Sequence, residues 1–505
     1  MDIFLTKIRL VNFKIFTDET ISCNREMNIF VGDNASGKSS ILKALDLALS
    51  GNPTKVQLLG LENLINVDAV SAWLSNPTAD GLPTMRVELF FDMPDLPDFS
   101  KYNGEKYLGA GEKEYGIKMV CAPRKGLDED LAKMIQAGTC KVFPFEFYEI
   151  HFSTFGDSSY SGYLKPCKFL YIDNTAIDTT KTLQYMVANT YRNVVDETER
   201  MFAQYDFRKH LSGFNLPQSA VAKDLTVSGD LLSCLDIKEN GISLANRGEG
   251  KISICKTDCA LERKGEGAFI SALEEPENHL SYYNLRHLIL MAKNRVENHQ
   301  MFIVTHSSYV TSRVGLRNAL FVSEGKVHSL QDLSQDTSDF FMKAPNDNLL
   351  QFVLSKKVLL VEGAAEFILM EKFIKKVARK EATAAEIWTI ALNGLSFARY
   401  LEVGKLLDIK VAAIRDNDGK IKARYEEWLS DRRKVFSDPL EQRKTFEICL
   451  YQDNEEKLKA AFSDQKDVQN YMLHNKAEAA YRILQSDLEL VVPQYIRDAI
   501  EWLTT

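Results

Sequence analysis

The sequence predicts two consecutive α/β domains, and three observations carry that reading. Residues 27–31 form an apolar strand that runs into a glycine-containing loop and then a helix. Two further apolar runs, GAFISAL and MFIVTH, fit buried parallel strands. After a polar break at residues 331–350, strand and helix alternate again, starting from KKVLLVEG.

At 505 residues the chain is too long for one hydrophobic core. Hydrophobic residues at 45% and charged residues at 26% are those of an ordinary soluble enzyme and exclude disordered and fibrous classes. The net charge of -8 lacks the basic excess of a typical nucleic-acid binder, but a whole-chain sum hides local patches, and metal-binding carboxylates would lower it. The eight cysteines are scattered, and Cys255 and Cys259 lack the histidine pair of a zinc site, so reduced thiols are expected. Lys7, Arg9 and Lys14 interrupt the N-terminal apolar residues, which rules out a signal peptide or anchor there. No window is long and uncharged enough for a membrane helix, so no membrane partner and a cytoplasmic location are expected.

In the first domain, placed at residues 1–340, strands are expected at 3–10 and 27–31, and a helix at 39–49 with Ile41, Leu42, Leu45 and Leu49 on one face. MRVELFFDM and KVFPFEFYEI read as strands. Residues 181–210 contain no Gly or Pro and read as a helix. It belongs to a helical insertion at about 181–230, either a dimerisation arm or a helix packed on the same core. In the second domain, 351–505, a helix is expected near 365–378, a strand at IWTIAL, a helix after Ser396 and a strand at KVAAI.

The loop from Gly32 to Ser39 fits G-x-x-x-x-G-K-[ST] in full. Its glycines let backbone amides close around phosphates, the helix N-terminus adds partial positive charge, Lys38 reaches the terminal phosphate oxygens and Ser39 ligates Mg²⁺. Asn34, Gly37, Lys38, Ser39 and Ser40 are therefore the candidate ATP contacts. GAFISALEEPENHL ends a strand in two carboxylates, with Glu274 suited to hold Mg²⁺ and Glu275 to orient the attacking water, although such a pair before a proline can also cap a helix. MFIVTHSSYV then places His306 at a strand end.

With the opening I-x-L-x-N-F-K-x-F at residues 8–16, these segments resemble the ABC-type ATPase heads of the SMC, Rad50 and RecF group over roughly residues 1–330. The resemblance implies that His306 contacts the γ-phosphate and that Phe13 or Phe16 lies near the adenine. It departs from the commonest pattern at Glu274, where Asp is usual. It also implies a signature loop acting in trans, for which ISLANRGEGKISI, with Arg247, Gly248 and Gly250, is the candidate. The L-S-G-G core is absent, so a plain glycine turn stays open there. A head-to-head homodimer or higher even oligomer follows from such a site.

In the second domain VLLVEGAAEF puts Glu362 at a strand end and Glu366 one helical turn on. KVAAIRDNDGK puts Asp416 and Asp418 two residues apart, on one face of an extended chain. Such hard oxygen ligands suit Mg²⁺ or Mn²⁺, whereas each carboxylate alone would merely face solvent. V-E-G-x-x-E, then Asn393-Gly394, then D-x-D resembles the Rossmann-like Toprim fold of topoisomerases, primases and OLD nucleases. That resemblance implies that Glu447 completes a two-metal site and that Lys476 stabilises the charged phosphate.

An ABC-type head followed by a Toprim domain resembles the OLD (overcoming lysogenisation defect) family. The resemblance implies an ATP-hydrolysing, divalent-metal-dependent DNA endonuclease in antiphage defence. A helicase, or a retron reverse transcriptase with its small DNA, is an expected partner. The competing reading is a repair or recombination ATPase whose Toprim domain binds DNA or a partner without cutting.

Overall fold

A computed structural model of the chain describes residues 3–104, 114–136, 142–162, 165–173, 187, 191, 194–212, 237–255, 269–290, 299–307, 316–343, 348–418 and 426–505, apart from positions 240, 249, 253, 279, 282, 286, 289, 395 and 487. It divides into two compact units, Met1–Val310 with Val322–Val327, and Thr311–Phe321 with His328–Thr505. No helix among the described residues is long and apolar enough to cross a membrane.

Besides a short two-stranded ribbon, Lys238–Glu239 with Ile242–Ser243, the first unit contains two large sheets. In the antiparallel one, β1 (Phe4–Phe13) pairs with β2 (Phe16–Ser22) on one side and β4 (Met85–Asp92) on the other; β4 then pairs with β5 (Glu114–Pro123), and β5 with β6 (Tyr148–Thr154). The hairpin return from β1 into β2, at Phe13↔Phe16, was not expected from sequence. Polar residues dominate FTDETIS, so its alternation reads as a loop. In the parallel sheet the order is β3 (Met27–Gly32), β9 (His299–Thr305), β8 (Phe269–Glu274) and β7 (Lys168–Asp173). Strand β3 is buried along its whole length, as an apolar run in a sheet covered on both faces must be.

Helix α1 (Lys38–Ser50) buries Ile41, Leu42, Leu45 and Leu49, the face anticipated from their spacing. Helix α2 (Glu197–Ser212) holds part of the expected insertion; much of 181–230 lies outside the described residues. Gln300, on β9, ties the two sheets. Its Oε1 accepts the Leu5 N–H at 2.8 Å and its Nε2 donates to the carbonyls of Leu5 (2.8 Å) and Asn24 (2.7 Å), all in the interior.

The second unit has one parallel sheet in the order β11 (Ile387–Ala391), β10 (Lys357–Val361), β12 (Lys410–Ile414) and β13 (Arg433–Phe436). Its helices include α3 (Gln335–Lys343), α4 (Ala364–Ala378), α5 (Phe397–Leu406), α6 (Phe446–Asp453), α7 (Lys476–Gln485) and α8 (Gln494–Thr504). Helix α3 falls in the stretch read as a polar break, where Phe341 is fully buried edge-on against Tyr400. The core runs from Leu359 and Leu369 to Phe446, Ile483 and Ile500, so α4, α6, α7 and α8 pack as one layer.

Replacing Gln300 with leucine should remove the partner of the buried Leu5 N–H and one bond to the Leu5 carbonyl, and destabilise the first unit by on the order of 2 kcal/mol. Urea unfolding followed by fluorescence measures this, and an unchanged midpoint contradicts the tie.

Candidate functional sites

In the phosphate loop, β3 ends at Gly32, where an added Cβ would sit 2.2 Å from the Val322 carbonyl oxygen and 2.8 Å from Ser36 Oγ. Gly37, at φ +109°, turns the chain into α1, and a Cβ there would meet Ile15 and Phe16 at 2.7 and 2.9 Å. Both positions therefore demand glycine. The Lys38 ammonium donates to the carbonyls of Gly32 (2.8 Å) and Asp33 (2.7 Å). Burial holds its pKa below the usual lysine value although Glu275 and Asp33 oppose the shift. Asn34 and Ser39 are exposed and Ser40 is half-buried at the open N-terminus of α1, where a phosphate would be received.

The neighbouring strands supply the acids. Glu274, the last residue of β8, is buried and accepts a hydrogen bond from the Tyr171 hydroxyl on β7. Glu275 leaves the strand at φ +46°, its N–H bonded to the Val304 carbonyl at 2.9 Å, and its carboxyl stands 3.1 Å from His306 Nε2. Burial, with Glu277 adding to it, raises the Glu275 pKa to about 8. Burial and then Lys38 lower that of His306. At neutral pH their contact is thus a hydrogen bond rather than an ion pair. Glu277 locks the arrangement by accepting from Thr305 Oγ1 at 2.6 Å and from the His306 N–H at 2.8 Å. Sequence reasoning missed Glu277 and Tyr171; the third acid of E-E-P-E was the available signal for the first, and nothing local marked the second.

One expectation fails. Phe13 and Phe16 are fully buried, with Phe16 against Gly37, so neither is free to face an adenine; the exposed apolar group beside the loop is Ile15. In the suspected signature segment, Gly248 begins a helical turn through Lys251 N–H at 2.9 Å, and nothing lies within 4 Å of a Cβ added there.

In the second unit the acids gather at the carboxyl end of the parallel sheet, where α/β folds place their sites. Glu362 follows β10, and Asp416 follows β12, its immediate neighbour in the sheet. Glu366 lies in the first turn of α4, Glu447 in the first turn of α6, and Lys476 opens α7. Glu362 Oε1 accepts the Asp416 N–H at 3.1 Å, and Asp416 Oδ1 accepts the Phe446 N–H at 2.8 Å, so backbone amides orient both carboxyls. Lys476 Nζ stands 3.2 Å from Glu447, whose second oxygen is buried without a partner.

The electrostatics are strained. Burial, then repulsion from Glu362, Glu366 and Glu447, raises Asp416 to about 8. Burial, with Glu447 and Glu362, raises Glu366 to about 7, and burial also raises Glu362. Lys476 is held above its usual value: burial opposes this, but Glu447, Asp416 and Glu366 outweigh it. These residues fit a hard divalent cation in kind, and the unpartnered Glu447 oxygen points the same way. They are gathered rather than pre-formed: among the described residues no three His, Cys, Asp or Glu side chains already stand in ligating geometry.

Asp418 differs from the expectation. β12 ends at Ile414 and Asp418 has φ +51°, so the two aspartates do not share one face of an extended chain. Its exposed carboxylate instead pairs with Arg415 at 3.7 Å; Arg415, which sequence reasoning passed over, also stands 3.8 Å from Glu362. Buried Asn417 between them donates to the carbonyls of Asp438 and Leu440, both at 2.9 Å. Arg443 clamps that segment, ion-paired with Asp438 at 2.9 Å and donating to both oxygens of Asp453 at 2.8 Å.

A phosphate-loop unit with paired strand-end acids, followed by an acid-lined parallel sheet, defines an ATPase–Toprim protein. Residues 4–96 match the AAA ATPase domain family, and residues 353–418 match the family described as overcoming lysogenization defect protein-like, TOPRIM domain. The chain thus carries an AAA-type ATPase segment and a segment similar to the Toprim domain of OLD-like proteins. The DNA replication and repair protein RecF of Acetivibrio thermocellus is 30% identical over 87 residues, 17% of this chain and 23% of that protein. Among solved structures, the SMC head domain of Thermotoga maritima is 13% identical with a TM-score of 0.31, covering 65% of this chain and 98% of that one. The C-terminal region of the Xanthomonas campestris OLD protein is 19% identical with a TM-score of 0.22, covering 30% and 95%. These likenesses are distant.

Cation affinity at the second site should rise with pH, because Asp416 and Glu366 carry protons up to about 8 and 7. The sign for stability is fixed by the same shifts: folded carboxyl pKa values above the unfolded ones give stability that is full below about pH 4 and lost as pH rises through 8. Calorimetry with Mn²⁺ should show at least tenfold tighter binding at about pH 8 than at about pH 6, with proton release. Equal affinity at both pH values contradicts this.

Proposed function

We propose that the protein is an ATP-regulated, divalent-metal-dependent DNA endonuclease that makes nicks or double-strand cuts and acts against phage or other foreign DNA. The observation that carries this is the gathering of buried Glu366 and Glu447 with half-buried Glu362 and Asp416 at one sheet end, with Lys476 beside Glu447 and Arg415 beside Glu362. Structural ion pairing would match those acids with as many cations; four acids against one ammonium and one guanidinium suit a site completed by metal.

Divalent cations, when bound there, would lower the pKa of an attacking water and carry the charge of the leaving oxygen. Glu362 and Asp416, fixed by backbone amides, would hold their ligating oxygens in place, and Glu447 and Glu366 would supply the remaining oxygens. Lys476, half-exposed and strongly protonated, would meet the scissile phosphate. Asp418 and Arg415, on the exposed side, would contact substrate or an outer coordination sphere. Asp416→Ala should abolish cleavage of plasmid DNA in Mg²⁺ or Mn²⁺ while ATP turnover stays near wild type. Undiminished cutting by that variant hands the domain to the binding-module reading.

In the first unit, ATP with Mg²⁺ would occupy the Lys38–Ser39 loop, with Glu274 on the cation side, Glu275 orienting water and His306 sensing the terminal phosphate. Two heads would be needed, and Met201, Phe202 and Tyr205 on α2, exposed by 64, 66 and 55%, offer a contact surface. Glu275→Gln should bind ATP, lose at least 100-fold in turnover if the acid orients the water, and run as a dimer in light scattering with ATP. Turnover equal to wild type refutes the assignment, and a monomer under those conditions refutes the paired head. Lys38→Ala should lose ATP binding. Neighbouring genes for a helicase or a retron reverse transcriptase would identify the partner.

A further inference from the structure

The opposite end of the second unit's sheet has the reverse charge. Lys357 opens β10 and Lys410 opens β12, and the two are direct register partners; Lys434, on β13, lies in the row that pairs with Ala412. Because side chains alternate along a strand, that register puts Lys357, Lys410 and Lys434 on one face of three adjacent strands. Trp502 of α8 lies on that face, with the Lys410 ammonium 4.9 Å and the Lys434 ammonium 5.4 Å from its ring centre. Among the described residues none of the three lysines has a carboxylate within ion-pair distance, whereas nearby Arg432 and Arg433 share Asp408 at 3.2 and 3.7 Å. Burial lowers the Lys410 pKa, and Lys357, Arg432 and Lys434 lower it further.

An unmatched row of ammoniums in a chain of net charge -8 works against folding unless an anion completes it. We infer that Lys357, Lys410 and Lys434 form a second DNA-backbone contact at the amino-terminal end of the Toprim sheet, remote from the acid cluster. The inference rests on the nuclease reading above. Adjacent strands lie roughly 4.8 Å apart, so the row spans about 10 Å across the strands, close to the rise across four consecutive phosphates on one DNA strand. The strands are about 16 Å long at roughly 3.3 Å per residue, so the lysines cannot reach a phosphate held by the acids. They contribute affinity for flanking DNA and leave the bond-breaking step alone. Lysine suits this role, since its ammonium is a point charge that contacts phosphate without reading bases.

The test is DNA binding by the full chain in chelator, where no cutting occurs, measured by fluorescence anisotropy across a salt series. The K357Q/K410Q/K434Q variant should lower the slope of log affinity against log salt by about 2 to 3, at roughly 0.9 per lost phosphate contact, and weaken low-salt binding at least tenfold. The K357R/K410R/K434R variant should keep the wild-type slope, which separates charge from misfolding. On long DNA in metal, the glutamine variant should raise KM with kcat unchanged. An unaltered salt slope, with a wild type that does bind, overturns the surface. A wild type that binds no DNA overturns the nuclease reading, and this surface falls with it. Loss of binding to phosphatidylserine vesicles, with the DNA slope unchanged, would assign the face to a membrane instead and refute the DNA contact.

Discussion

Like charges buried together at the carboxyl ends of parallel strands are the constraint on which both sites turn. A carboxylate taken out of water resists ionisation, and a second one beside it resists more strongly. Glu275 and Asp416 are each pushed to about 8 by burial first and acidic neighbours second. Lys38 faces the first cluster, and Lys476 with Arg415 faces the second, which is too little charge to match either. Such sites are unfavourable on their own and become favourable when a cation arrives. The folds around them are therefore built to hold acids where they would not otherwise stay.

The holding is done by backbone and by neutral or partnered side chains. Glu275 adopts a left-handed conformation, with its N–H tied to Val304, and Glu277 secures both Thr305 and His306 behind it. In the second unit the Asp416 and Phe446 amides orient Glu362 and Asp416, and Asn417 anchors the loop on two carbonyls. Arg443 in turn fixes the segment that leads into α6 and Glu447. A site assembled this way can tolerate charge without collapsing onto it.

The sequence made much of this legible because parallel strands and phosphate loops are written locally. Apolar runs such as MNIFVG and KVLLV are buried almost throughout, and the candidate site residues follow at their ends, the phosphate loop after the first and Glu362 after the second. Helix positions after Ser396 and near residue 365 fell where spacing placed them. What escaped depends on partners distant in sequence. The Tyr171 contact to Glu274 spans 103 positions, and the Gln300 tie to Leu5 spans 295. Asp418 was misread for a different reason: strand periodicity was extended past Ile414, where the chain has already turned. Phe13 and Phe16, which the resemblance places near the adenine, are fully buried, as an apolar pair in a hairpin return requires.

The most direct measurement of the central claim is anomalous scattering from crystals of the full chain soaked in Mn²⁺ without nucleotide. A peak bounded by Glu362, Glu366, Asp416 and Glu447, at about 2.2 Å from their oxygens, is the result this account requires. Density for Mn²⁺ elsewhere, with those four carboxyls unligated at saturating metal, would contradict it.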